Sequence, residues 1–120
     1  MSESFSYQSI PEITVEELEH RLTTASTENL QLVDVREPQE VEIAHLEGFI
    51  NLPLSEFSQW SDKIHSHLDL EKETLVMCHH GMRSAQMCQW LIRQGFTNVK
   101  NIAGGIDAYS AVIDPLIPRY

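Results

Sequence analysis

Cys78-His79-His80-Gly81-Met82-Arg83-Ser84 stands directly after the apolar run Thr74-Leu75-Val76-Met77. A short apolar run, a loop containing glycine and a helix-forming segment in that order predict a buried strand, a turn and a helix, with the cysteine at the strand's end. In such a loop several backbone N–H groups turn inward and the positive end of the helix dipole adds to them. A thiolate is stabilised there and an anionic substrate is attracted. Arg83 brings a full positive charge to the same place. A cysteine in mid-strand reads as packing; one at a strand end with glycine and arginine close behind reads as a nucleophile.

Strand-like and helix-like segments alternate on both sides of this stretch. Thr14 and Glu17 form a capping box ahead of Val15, Leu18 and Leu22, which line one face of a first helix. Residues 30–35 read as a buried strand, Pro38 opens a short helix carrying Val41 and Ile43, and 49–52 is a second brief strand. Ser55 is expected to cap a turn carrying Phe57 and Trp60, and 63–70 to form a further short helix. After the strand at 74–77, a helix is expected over 84–94 with Gly95 closing it, then a strand at 99–102, a turn at Gly104-Gly105 and a last helix over 106–112. Strands separated by helices predict an α/β fold, a single domain with a mainly parallel central sheet flanked by helices on both faces. Ligands of such sheets bind beyond the carboxyl ends of the strands, where Cys78 and the end of the Asp34 strand both fall. Residues 1–10 read as a flexible N-terminal arm, 11–120 as the domain, and 114–120, with Pro115 and Pro118, as an extended tail.

Composition narrows the function. A chain of 120 residues with 42% hydrophobic content has enough for one core and hardly enough for two. Its net charge of -10, from 18 acidic against 8 basic residues, argues against nucleic acid and against an anionic membrane as partners. A small anionic substrate must be drawn by local N–H groups against that field, so its association should quicken as salt rises. Met1-Ser2-Glu3-Ser4 lacks the basic and apolar regions of a secretory signal, and no apolar run approaches the roughly 20 residues that span a bilayer. The expected location is cytoplasmic. Two cysteines ten positions apart make neither a disulfide framework nor a Cys-x-x-Cys dithiol, in keeping with that compartment.

Four residues separate Cys78 from Arg83. The phosphate-binding loop of cysteine-dependent phosphatases has one more. At this length the loop resembles that of the rhodanese family of sulfurtransferases, and three further stretches carry the same resemblance. Residues 32–40, Leu-Val-Asp-Val-Arg-Glu-Pro-Gln-Glu, look like the family's strand ending in Asp-x-Arg before a proline-opened helix. Residues 44–53 are similar to the family's Gly-His-Ile-x-Gly-Ala and Asn-x-Pro segment, with Ala44, Leu46 and Phe49 departing from it as packing changes. Residues 103–109 resemble its Gly-Gly-x-x-x-Trp, with Tyr109 in place of the tryptophan. The resemblance implies that Cys78 forms a persulfide and that residues 79–83 ring it. It further implies transfer of sulfane sulfur from thiosulfate or a persulfide donor to cyanide, a thiol or a sulfur-carrier protein, with no metal and no organic cofactor.

His79, His80, Gly81, Met82, Arg83 and Ser84 are the candidate substrate-binding residues of the loop. Either histidine could serve as a base, although in a ring of inward amides their side chains are expected to point outward and shape the entrance. Asp34 and Arg36 are expected to brace the loops, and Arg36 is also a candidate for substrate contact. His45 reads as a structural hydrogen bonder beside Gly48, and Cys88 as a buried apolar residue or, alternatively, a resolving thiol. No metal is expected, because adjacent His79 and His80 should not face one ion and no other pair has zinc-site spacing. Two other classes stay open: a noncatalytic binding module, and a cysteine-dependent phosphatase or arsenate reductase, for which the loop is one residue short.

Overall fold

The computed structural model describes residues 10–24 and 29–120. The arm expected over 1–10 lies, Ile10 apart, outside the described residues. Five strands, β1 (Glu12–Ile13), β2 (Leu30–Asp34), β3 (Ile50–Asn51), β4 (Glu73–Met77) and β5 (Val99–Ile102), form one sheet in the order β1-β5-β4-β2-β3. Every pairing in it is parallel. Six α-helices are interleaved with them among the described residues: α1 (Val15–Thr24), α2 (Pro38–Ile43), α3 (Phe57–Trp60), α4 (Ile64–His67), α5 (Met82–Arg93) and α6 (Gly105–Val112).

The strands are apolar on both sides because both sides are covered. Leu30, Leu32, Leu75, Met77 and Ile102 pack against α1 and α6 through Val15, Leu18, Ile106 and Tyr109. The alternate residues Val33, Val35, Val76 and Val99 pack against α3, α4 and α5 through Trp60, Ile64, Met87, Cys88 and Leu91. The capping box at α1 is formed, with Thr14 N donating to Glu17 Oε1 at 2.9 Å and Glu17 N to Thr14 Oγ1 at 3.1 Å.

Several elements differ from the sequence expectation. β1 was not anticipated: two residues are too few to show a period, and the strand exists because β5 offers it an edge. The expected helix over 63–70 is shorter, a 3-10 turn at Ser61–Lys63 leading into α4 at Ile64–His67. Ser55 does not cap α3; it lies within a 3-10 turn at Leu54–Glu56, and its hydroxyl donates to the Glu37 carboxylate. α5 begins at Met82 rather than Ser84, because Gly81 takes the left-handed φ of 105° that starts it. The segment 114–120 is not an extended tail. It turns at Asp114, is tied to α6 by Ser110 Oγ donating to Ile117 O at 2.5 Å and by Arg119 to Asp107, and ends with Tyr120 on the loop after β4.

Candidate active site

The register that pairs Asp34 with Met77 brings the ends of β2 and β4 level, and the ladder continues with Val35 N donating to Met77 O at 3.0 Å. Cys78 is therefore the first residue past the sheet and remains 1% exposed. Its sulfur has two polar neighbours among the described residues: Gly81 N donates to Sγ at 3.1 Å, and the Ser84 hydroxyl lies 3.3 Å away.

The loop is shaped from outside by α6. Ile106 N and Asp107 N, at that helix's first turn, donate to the carbonyls of Cys78 and His79, each at 3.0 Å. With those carbonyls held outward, the Gly81 N–H is left to face the sulfur. Gly105 permits this approach: a Cβ there would sit 2.4 Å from Cys78 O and 2.5 Å from His79 O. Gly105, which the sequence presents as part of a turn, thus helps to seat the Cys78 loop.

Arg83 is paired with Glu40 on α2, two bonds of 2.7 and 3.0 Å joining both nitrogens to both carboxylate oxygens. This fork-to-fork geometry is the strong form of the interaction. The Arg83 guanidinium holds the Glu40 carboxyl down at about 2, and Glu40 in turn raises Arg83. Of the roles open to Arg83, loop support or substrate binding, the geometry has the form of loop support: Arg83 closes the loop onto α2, and a fixed carboxylate compensates its charge. Because Glu40 titrates far below its ordinary 4.5, the pair stabilises the fold above that pH and loses its effect as pH falls toward about 2. The stability difference between wild type and Glu40→Gln, read from urea melts, should be constant from pH 7 to 5, shrink on further acidification and vanish near pH 2. A difference that does not change with pH would assign the loss to packing instead.

Arg36 lies deeper than Arg83. It is fully buried, 0% exposed, and its guanidinium is spent on the protein. Nε bonds the Asp34 carboxylate at 3.0 and 3.2 Å and Nη2 bonds it at 2.7 Å. Nη2 also donates to Ala44 O at 2.7 Å, and Nη1 to Tyr120 Oη at 2.7 Å and to Glu40 O at 3.3 Å. Every guanidinium N–H thus has a protein partner, the arrangement of a brace. Asp34 is its counter-charge.

The histidines sit differently from each other. His79 lies against the Tyr120 ring, with centroids 3.9 Å apart and planes within 5°, and its Nε2 is buried without a partner. Burial first, and His80 second, lower its tendency to protonate. Tyr120, which the sequence left in a tail, covers this side of the loop while its hydroxyl donates to Glu40 at 3.0 Å. His80 is exposed, with Nε2 3.8 Å from Asp107 Oδ2. Neither imidazole bonds Cys78 Sγ. The adjacent rings approach each other, at 3.9 Å, and with Asp107 they gather three potential metal ligands within 4.8 Å, although the two were not expected to face one ion. Arg119 already holds both oxygens of Asp107 at 3.1 Å, and its positive charge opposes a cation at that carboxylate.

Met82 is 77% exposed and touches solvent at the loop's rim. His45 is exposed, with its Nε2 3.4 Å from the Glu47 carboxylate, and among the described residues no hydrogen bond ties it to Gly48. Burial pushes the Cys88 thiol up to about 12, with Cys78 and Glu12 adding to the effect. It stays protonated at neutral pH and fills the core against α3 and α4. Sequence reasoning missed three residues of this site: Glu40, Tyr120 and Asn101. Only Asn101 left a signal, a polar residue on the inward face of an apolar strand.

Known proteins with related sequences share this arrangement of elements. A family model of the rhodanese-like domain matches residues 14–112. The chain is 48% identical over 112 residues to the Rhodanese-like/PpiC domain-containing protein 12, chloroplastic, of Arabidopsis thaliana, covering 92% of this chain and 38% of that protein. It is 33% identical over 78 residues to the thiosulfate sulfurtransferase GlpE of Vibrio cholerae, 65% of this chain and 70% of that one. The crystal structure of a rhodanese-like domain protein from Staphylococcus aureus superposes with a TM-score of 0.74 at 23% identity, covering 92% and 99% of the two chains. The chain belongs to the rhodanese-like domain family. It spans between a quarter and a half of the length of several curated relatives that it matches. Among the described residues no helix is long and apolar enough to cross a membrane.

Proposed function

We propose that the protein is a sulfurtransferase in which Cys78 carries sulfane sulfur as a persulfide. The observation that carries this reading is the Cys78 sulfur at the end of β4, facing the Gly81 N–H at 3.1 Å in a loop of four residues between cysteine and arginine. The Cys78 thiolate attacks the outer sulfur of thiosulfate; the sulfur–sulfur bond of the donor breaks and sulfite leaves with its electron pair. Cys78 then bears a persulfide anion, which an acceptor (cyanide or a thiol) attacks at the outer sulfur, returning the thiolate. The loop N–H and the Ser84 hydroxyl offset the negative charge on sulfur at each stage, as an oxyanion hole does for oxygen. Arg83 acts by holding the loop closed on Glu40. The relative named a thiosulfate sulfurtransferase supports thiosulfate as donor, and one named a putative sulfur carrier protein supports a protein acceptor. The free thiols Cys78 and Cys88 support a reducing compartment such as the cytoplasm.

The test pairs two substrates. Purified protein given thiosulfate and cyanide should release thiocyanate, and given an aryl phosphate should release no phosphate, since a shorter loop offers a tetrahedral oxyanion fewer N–H groups. Phosphate release that depends on Cys78, without thiocyanate formation, would overturn the reading in favour of a phosphatase.

A further inference from the structure

Asn101 is 2% exposed in β5, on the same face as Val99, where the strand's pattern calls for an apolar side chain. A buried carboxamide requires partners, and its partners determine which way it faces. Nδ2 lies 3.0 Å from Gly81 O and 3.3 Å from Glu12 Oε2, both acceptors, while Oδ1 receives the Ser84 hydroxyl at 2.5 Å. The opposite orientation would set Oδ1 against two acceptors, so this one holds.

Gly81 and Ser84 are also the two residues that bond the Cys78 sulfur. Asn101 takes the carbonyl of one and the hydroxyl of the other. We propose that Asn101 is a positioning residue for the nucleophile, a single side chain that holds the Gly81 carbonyl, and through the Gly81 backbone torsions the aim of its N–H, while seating the Ser84 hydroxyl beside Cys78 Sγ. For sulfur transfer this deepens the persulfide reading and rests on it; for the reactivity of the thiol it stands alone.

Proton counting shows how the hold works. Ser84 has one proton and two neighbours able to accept it, Asn101 Oδ1 at 2.5 Å and the sulfur at 3.3 Å. While Cys78 is a thiol, the closer acceptor takes that proton and the S–H can donate to the Ser84 oxygen. Once the sulfur is an anion it competes for that proton as a charged acceptor; when the hydroxyl turns to it about one bond, the bond to Asn101 Oδ1 is given up, while Asn101 Nδ2 keeps its hold on Gly81 O. Without Asn101 the Gly81 carbonyl keeps only its place at the start of α5, and Ser84 can change rotamer. The anionic sulfur then loses oriented donors.

The experiment follows alkylation of Cys78 by iodoacetamide across pH, in a Cys88→Ser background. Asn101→Ala should slow the reaction at pH 7 about tenfold, the scale of one charge-assisted hydrogen bond, and displace the pH–rate curve upward. Asn101→Asp keeps the shape and the acceptor for Ser84 but sets an oxygen against Gly81 O and adds negative charge, so its displacement should be larger. Adding Ser84→Ala to Asn101→Ala should cost less than the two separate effects combined, because both act through one hydroxyl. If Asp at this position prevents folding, the Ala variant and the double variant carry the test. A lowered melting temperature with an unchanged pH–rate curve would reduce Asn101 to a packing residue and overturn the proposal. Thiosulfate that loads no sulfur onto wild type would refute the sulfurtransferase reading while leaving the alkylation comparison intact.

Discussion

Cys78→Ser should abolish thiocyanate formation and leave the melting temperature within a few degrees of wild type. Serine has the shape of cysteine, and in this 1% exposed seat its hydroxyl finds the Gly81 N–H and Ser84 that the sulfur had. Its oxygen cannot accept a sulfane sulfur and return it, so no residual turnover is expected. Cys88→Ser should keep most of the activity at some cost in stability, since that side chain is buried among Trp60, Ile64, Met87 and Leu91 and makes no step of the reaction. An active Cys78→Ser protein, or an inactive and folded Cys88→Ser protein, would move the nucleophile.

Asp34→Ala should cost about 3–5 kcal/mol, because it leaves the Arg36 guanidinium buried without its counter-charge. Against the roughly 5–15 kcal/mol that holds a typical domain folded, that is a large share. Arg36→Met should be destabilising for the mirror reason, since it strands the Asp34 carboxylate and frees Ala44 O and the Tyr120 hydroxyl of their donor. The double variant Asp34→Leu with Arg36→Met should lose less than the sum of the two, because an apolar pair leaves no buried charge. Urea denaturation measures all three. Variants of normal stability with lost sulfur transfer would instead restore Arg36 as a substrate ligand.

The sequence was most legible where a local rule applied. Thr74-Leu75-Val76-Met77 before Cys78, with Gly81 behind it, reads as strand, loop and helix because each segment's apolar pattern and turn residue agree. Alternation of strands and helices sufficed for a parallel sheet with Cys78 just beyond its carboxyl edge. What was hidden depends on distance along the chain. The partner of Arg83 was not legible, because Glu40 is 43 positions away and nothing local links them. Tyr120 looked like a tail residue because its stacking on His79 needs the turn at Asp114, which only packing against α6 determines. Arg36 admitted two roles in the sequence, because the partners that occupy its guanidinium in six hydrogen bonds include Ala44 and Tyr120, which no local pattern links to it. β1 is held by an edge and not by its own pattern.

The central claim is that Cys78 carries the sulfur, and intact-protein mass spectrometry after brief exposure to thiosulfate tests it most directly. Wild type should gain the mass of one sulfur atom, peptide mapping should place it on Cys78, and cyanide should remove it with an equal yield of thiocyanate; Cys78→Ser should gain nothing. An adduct on Cys88, or thiocyanate released with no sulfur ever found on Cys78, would contradict the account.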